Sequence, residues 1–266
     1  MEIKFYTILF YLLFLLTGYE AFSLKGLFKT VFSVFYQMNT GFTGGFIALY
    51  LIIPFLNLLI ENLNEKSHRT LILTLIFIYT ITATFFFSGS WGYLGWYITI
   101  YLIGSYVRLY LNPIFENKKI YIWFSLISLA LAWASILTID FVGRKLGFTN
   151  YYFFVADSHK ILALICSFAF FMLFKNIQMK PNRFINTVAA STFGVLMIHA
   201  NSYTMIRFLW QDVLHNTSFY NSSWLIVHAV CSVLGVYVIC VAIDYLRIKF
   251  LEKPLFAYLD KKKFLQ

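Results

Sequence analysis

Apolar residues run along this chain in long blocks separated by short polar stretches. Eight blocks approach the roughly 20 residues that an α-helix needs to cross a bilayer core. They cover about 3–19, 43–61, 70–88, 92–111, 120–139, 160–175, 184–200 and 222–245. The pattern predicts an all-α fold, a polytopic integral membrane helix bundle of about eight transmembrane helices. The first block, KFYTILFYLLFLLTGY, starts with Lys4 as a signal peptide would. Tyr19, Glu20 and Phe22 stand where a small-x-small cleavage site belongs, so it reads as a retained span. Residues 1–256 form one transmembrane domain and 257–266 a short basic tail.

Between the first two blocks lies SLKGLFKTVFSVFYQM (23–38). Leu24, Leu27, Phe28, Val31, Phe35 and Met38 recur at helical spacing, with Lys25 and Lys29 on another face. This suits a helix lying in the membrane interface, or an ordinary amphipathic connector; both place it at the surface.

Composition sharpens the picture. The chain is 61% hydrophobic and 12% charged, with a mean hydropathy of +0.75. An ordinary soluble domain carries about 25% charged residues, so this chain lacks the polar surface a soluble globule of its size needs. Aromatics reach 21%, which suits lipid and its headgroup interface. The net charge of +10 sits in short clusters between apolar blocks, so the expected partner is the bilayer and not nucleic acid. Cys166, Cys231 and Cys240 lie inside apolar blocks without a CxxC pair, which indicates neither a disulfide framework nor a metal site. With eight spans, fifteen Lys and Arg fall on the side of the two termini and five on the other, Lys160 lying on a boundary. The positive-inside rule then makes both termini cytoplasmic.

Candidate chemistry gathers at the far ends of the spans. In STFGVLMIHANSYTMIRFLW (191–210) an apolar run stops at His199 and Asn201, with Arg207 close behind. His199 is a candidate base or hydrogen-bonding group, or a boundary histidine facing water. Arg207 can clamp an anionic group or snorkel to the interface. Asp157 and His159 precede the sixth span, where Asp157 or Ser158 serves as an N-cap or belongs to a site. Trp91 and Trp96 begin the fourth span as an aromatic belt or a stacking wall for a sugar ring. Asp244 and Arg247, three apart, can pair on one helix face, and His228 reads as a hydrogen-bonded packing residue. Pro54 is expected to kink the second span, with Asn57 serving the freed backbone.

Five segments in order, GFTGGFIALYLIIPFLN (41–57), WYITIYLIGSYVRLY (96–110), VADSHKILAL (155–164), FINTVAASTFGVLMIHANSYTMIRFLWQD (184–212) and IDYLRIKFLEKPLF (243–256), together resemble the acyltransferase-3 family of multi-pass membrane acyltransferases, in the branch found in bacterial surface-polysaccharide loci. The resemblance implies a plasma-membrane protein that moves an acyl group, usually acetyl, from acyl-CoA inside the cell to a hydroxyl of a glycan or lipid-linked sugar. It implies no metal. The family typically has about ten spans and carries its catalytic histidine on the first. Here the first histidine is His68, read as lying in a polar cytoplasmic loop. The expectation is therefore a chain without the first two family helices, which a missing N-terminal segment or a partner would supply. No catalytic base is assigned outright; His199 is the candidate, and Asn201, Arg207, Asp157 and Trp96 are the candidate substrate-binding residues. A carrier or flippase for a lipid-linked glycan, or an inactive family remnant, stand as alternatives.

Overall fold

The computed structural model describes residues 2–36, 41–86, 92–110, 112–147 and 150–261, and all regular structure among them is helical. The helices are α1 (Glu2–Leu16), α2 (Leu24–Val31), α3 (Phe42–Glu61), α4 (Glu65–Phe85), α5 (Tyr93–Leu109), α6 (Lys118–Leu146), α7 (Ile161–Lys175), α8 (Arg183–Ala190), α9 (Thr192–His199), α10 (Tyr203–Arg207) and α11 (Leu225–Lys261). A π-helical turn interrupts α4 at Phe77–Ile81 and α11 at Ile248–Glu252, and another continues α10 over Phe208–Val213. The chain divides into two compact units: unit 1 is Met1–Phe32 with Lys180–Gln266, and unit 2 is Ser33–Met179.

Among the described residues, α3, α4, α6 and α11 are long and apolar enough to cross a membrane. The blocks at 3–19, 92–111 and 160–175 form helices of 15, 17 and 15 residues. The block at 184–200 is not one helix. It breaks at Ser191 (φ −92°, ψ 0°), whose N–H bonds Val188 three residues back and so tightens and ends α8. Eight-residue helices rise only about 12 Å each, so α8 and α9 are each too short to span a core of roughly 30 Å.

In unit 2, α3 packs on α5. A Cβ on Gly45 would stand 2.9 Å from Tyr93 Cβ, so the close approach requires glycine. Asn57 does not serve the backbone freed by Pro54; its Oδ1 accepts from the Tyr101 hydroxyl of α5 at 2.6 Å. His68 corrects the loop expectation. Asn64 caps α4 by accepting from Ser67 N–H at 2.8 Å, which carries His68 into the helix. There it is fully buried, bonded to the Leu102 carbonyl at 3.2 Å. Helix α6 runs two turns past its apolar block, and there Arg144 and Asp140 pair across one turn at 2.7 Å. It ends on Gly147 in the left-handed region (φ 70°).

In unit 1, Tyr6, Val195, Met197, Ile198, Val236 and Cys240 form the core shared by α1, α9 and α11. Ser23 caps α2, and Lys4 of α1 donates to the carbonyls of Thr30 and Val31 at its C-terminal end, where the helix dipole favours a cation. Leu24, Leu27, Phe28 and Val31 are all exposed, as a surface helix requires; Met38 lies outside the described residues.

Gly194 of α9 faces Asp244 so closely that an added Cβ would fall inside van der Waals contact of the carboxyl. Gly194→Ala is expected to lower stability by about 1–3 kcal/mol, the usual cost of overpacking, in thermal unfolding of the purified protein. Gly104→Ala, where a Cβ meets nothing within 4 Å, is the near-neutral control.

Candidate functional site

The expected site residues fall in both units, and each group is described by itself. In unit 1, α9 ends on His199, and Ser202 caps α10 by accepting from Met205 N–H at 3.1 Å. The turn between these two short helices presents the polar residues. His199 Nδ1 lies 2.6 Å from the Val195 carbonyl. A carbonyl only accepts, so Nδ1 carries a proton and, in the neutral ring, Nε2 carries the lone pair. The ring is half-buried, with the Trp210 ring perpendicular to it at 6.4 Å. Asn201 Nδ2 donates to Thr7 Oγ1 of α1 at 3.4 Å, which fixes the turn against that helix. Arg207 is exposed at the end of α10. Nearby, Tyr19 donates its hydroxyl to Asp212, and the Arg207 charge acts on the same phenol. A cavity of about 490 Å³ lies beside this pair, lined by Phe10, Phe14, Tyr19, Met205 and Phe208 among others.

In unit 2, Asp157 accepts from His159 Nδ1 at 3.1 Å and from the Ser158 hydroxyl at 3.1 Å. His159 is buried between the rings of Trp96 (5.3 Å) and Tyr93 (5.7 Å). Trp96 is 4% exposed, so its face serves the imidazole and not an open rim. Trp91 lies outside the described residues. Neither Asp157 nor Ser158 caps α7: Lys160 occupies the cap position without a side-chain bond. The Ile161 N–H is taken instead by Thr84 Oγ1 at 3.1 Å, and Lys160 Nζ donates to the Ala83 carbonyl at 2.6 Å. The segment is thus pinned to the end of α4 by bonds that no local sequence signal announces. Burial opposes the Asp157 charge, but the hydrogen bonds of His159 and Ser158 and the charge of His159 outweigh it and hold the carboxyl below its usual range.

No family model, curated protein or solved structure matches this chain.

Unit 2 also holds a cavity of about 840 Å³ whose polar lining is Asn57, Glu61, Tyr101, Ser105, Arg108 and Tyr110. Its size suits an organic ligand, and Arg108 supplies a fork for an anionic group. Among the described residues, no group of three His, Cys, Asp or Glu side chains is arranged to hold a metal ion. His228 packs as expected, bonded to Asn216 at 3.0 Å and stacked on Phe219 at 3.8 Å. Sequence reasoning found the Asp244–Arg247 pair, which meets at 2.7 Å, but missed Glu2, Tyr6 and Glu252 around it. The available signal was Glu2 itself, an acid at the head of an apolar block in a chain with only 11 Asp and Glu.

The depressed Asp157 acidity has a sign. Its contribution is present above the unfolded carboxylate value of about 3.9 and is lost as pH falls through the lower folded value. Asp157→Asn is expected to lower the melting temperature at neutral pH and to converge with the parent at the acid end, in melting curves recorded across that range.

Proposed function

We propose that this chain is a membrane O-acyltransferase of the acyltransferase-3 type, moving an acyl group, acetyl by family resemblance, from acyl-CoA to a cell-surface glycan or lipid-linked sugar. The observation that carries the reading is the His199 tautomer. With Nδ1–H engaged by the Val195 carbonyl at 2.6 Å, Nε2 is the basic nitrogen, which is what a general base needs. In this reading a sugar hydroxyl gives its proton to Nε2 as its oxygen bonds to the acyl carbonyl carbon. The CoA sulfur leaves and takes up a proton. Asn201 and Arg207 hold the acceptor, Arg207 by its planar fork. Alignment of donor and acceptor is worth about 7–11 kcal/mol in reactions of this kind.

The topology assigned to the enzyme is eight spans with both ends in the cytoplasm. That the two ends share one side is supported by a contact inside unit 1: Arg247 Nη2, at the end of the apolar stretch of α11, lies 3.4 Å from Glu2 Oε1 at the start of α1. Two such ends meet only if the chain between them crosses an even number of times.

Two outcomes follow. His199→Asn keeps a donor near the Val195 carbonyl and removes the base. Acetyl transfer from radiolabelled acetyl-CoA to the membrane glycan fraction is expected to fall by about 10²–10⁴-fold with the melting temperature unchanged; parent-like transfer by this variant, or no transfer by the parent chain, overturns the reading. A reporter fused after Gln266 is expected to read as cytoplasmic, and Asn201→Cys to react with an impermeant thiol reagent from the opposite face only.

A further inference from the structure

The ionised groups where α1 meets α11 have no part in acyl transfer. Asp244 is fully buried and the Arg247 side chain is 4% exposed. Arg247 Nε donates to Asp244 Oδ1 at 2.7 Å, Nη1 donates to Glu252 Oε2, and Nη2 pairs with Glu2 Oε1 at 3.4 Å without hydrogen-bond geometry. Tyr6, also fully buried, donates to Asp244 Oδ1 at 2.8 Å, and its ring lies 5.7 Å from the guanidinium carbon. Three carboxyls therefore converge on one guanidinium. Two of their oxygens, Glu2 Oε1 and Asp244 Oδ2, are buried without a hydrogen-bond partner. Glu2 and Asp244 meet adjacent nitrogens of the same guanidinium, Nη2 and Nε, which brings the two carboxyls side by side. Two carboxylates cannot bond each other, since neither has a donor; one proton between them satisfies both.

We infer that Glu2 and Asp244 bind a single proton between them, so that the junction of α1 and α11 is a proton-binding site. Ionisable residues within membrane helices are costly and commonly mark such sites. The proton leaves two negative charges against Arg247 in place of three. The other groups around it do not supply it. Tyr6 already donates to Asp244 Oδ1. Lys4, the remaining charged residue of α1, reaches the carbonyls of Thr30 and Val31. Helix α9 places Gly194 against the Asp244 carboxyl, with the neutral Ser191 hydroxyl three residues before it and His199 five residues further on. Cys240, one turn before Asp244, lies in the core beside Tyr6. Glu252 bonds the guanidinium, and Lys249 and Lys253 are exposed. A metal ion would have to compete with the guanidinium already engaged by all three carboxyls.

The site is read without any acyl-transfer assay, so it stands or falls apart from the proposed activity. The purified full chain is melted from mildly acidic to alkaline pH, beside Glu2→Gln, which carries a permanent donor. A folded state that holds the extra proton loses stability as pH rises through the proton's release. The parent's unfolding constant is expected to rise by up to about tenfold per pH unit there, while Glu2→Gln stays flat. Infrared spectra of the parent at neutral pH are expected to show a protonated-carboxyl stretch that Glu2→Gln lacks. A parent whose melting ignores alkaline pH, or whose spectrum lacks that band, overturns the site. So does alkaline stability restored by sodium but not by potassium, which would make it a cation site. Should Glu2→Gln fail to fold, the parent's band and its loss on raising pH decide the matter alone.

Discussion

One guanidinium ties the two ends of unit 1 together. Arg247 is buried where an unpaired charge is prohibitively expensive, and its partners dictate what surrounds it. Helix α1 must bring Glu2 and Tyr6, α9 must present a residue without a side chain at Gly194, and Glu252 must come round from five residues further along. In a regular α-helix a residue five positions on lies about 140° around the axis. The π-helical turn at Ile248–Glu252 closes that gap and brings the Glu252 carboxyl onto Arg247. Removing one member of a buried pair commonly costs about 3–5 kcal/mol, because the other charge is stranded.

The rest of the fold is shaped by what it lacks, a polar surface. Trp123, Leu126, Trp133 and Leu137 of α6, and Ile226, Val230 and Val238 of α11, are all exposed. In water these would be aggregation surfaces; against hydrocarbon they need no cover. The backbone has no such freedom, since its polar groups must be bonded within the protein. Five helix starts are closed by side chains, with Ser23, Asn64, Asn117, Asn182 and Ser202 each accepting a backbone N–H, while the cap residues of α3, α5, α7, α9 and α11 make no such bond.

Long apolar blocks were legible because a span must be continuous, and α3, α4, α6 and α11 sit where hydropathy placed them. The Asp244–Arg247 pair was legible because three residues is a helical spacing. What failed to show was anything set by distant partners. The break at Ser191 falls inside an apolar run, and hydropathy does not see a turn made of small residues. His68 looked polar and exposed, but its burial depends on the Leu102 carbonyl, 34 residues away. Asp157 carried the signature of a cap, yet Thr84, 77 residues before Ile161, takes the backbone N–H that a cap would have held. Trp96 fitted a belt by position, and only the fold reveals that His159 covers it. The two candidate groups belong to separate units of the chain.

A comparison within unit 1 bears on Arg207. The chain contains RFLWQD at 207–212 and RIKFLE at 247–252, each an arginine followed five residues later by an acid. Both segments adopt a π-helical turn. In the second the acid closes back on its own arginine. In the first it does not: Asp212 is taken by Tyr19 from the end of α1. Arg207 therefore remains exposed, with no hydrogen bond or ion pair among the described residues, at the end of the helix that follows His199 and Asn201. The same local geometry thus yields a structural guanidinium when its acid is available and an open one when a phenol intercepts that acid. The difference lies with Tyr19, whose hydroxyl holds Asp212.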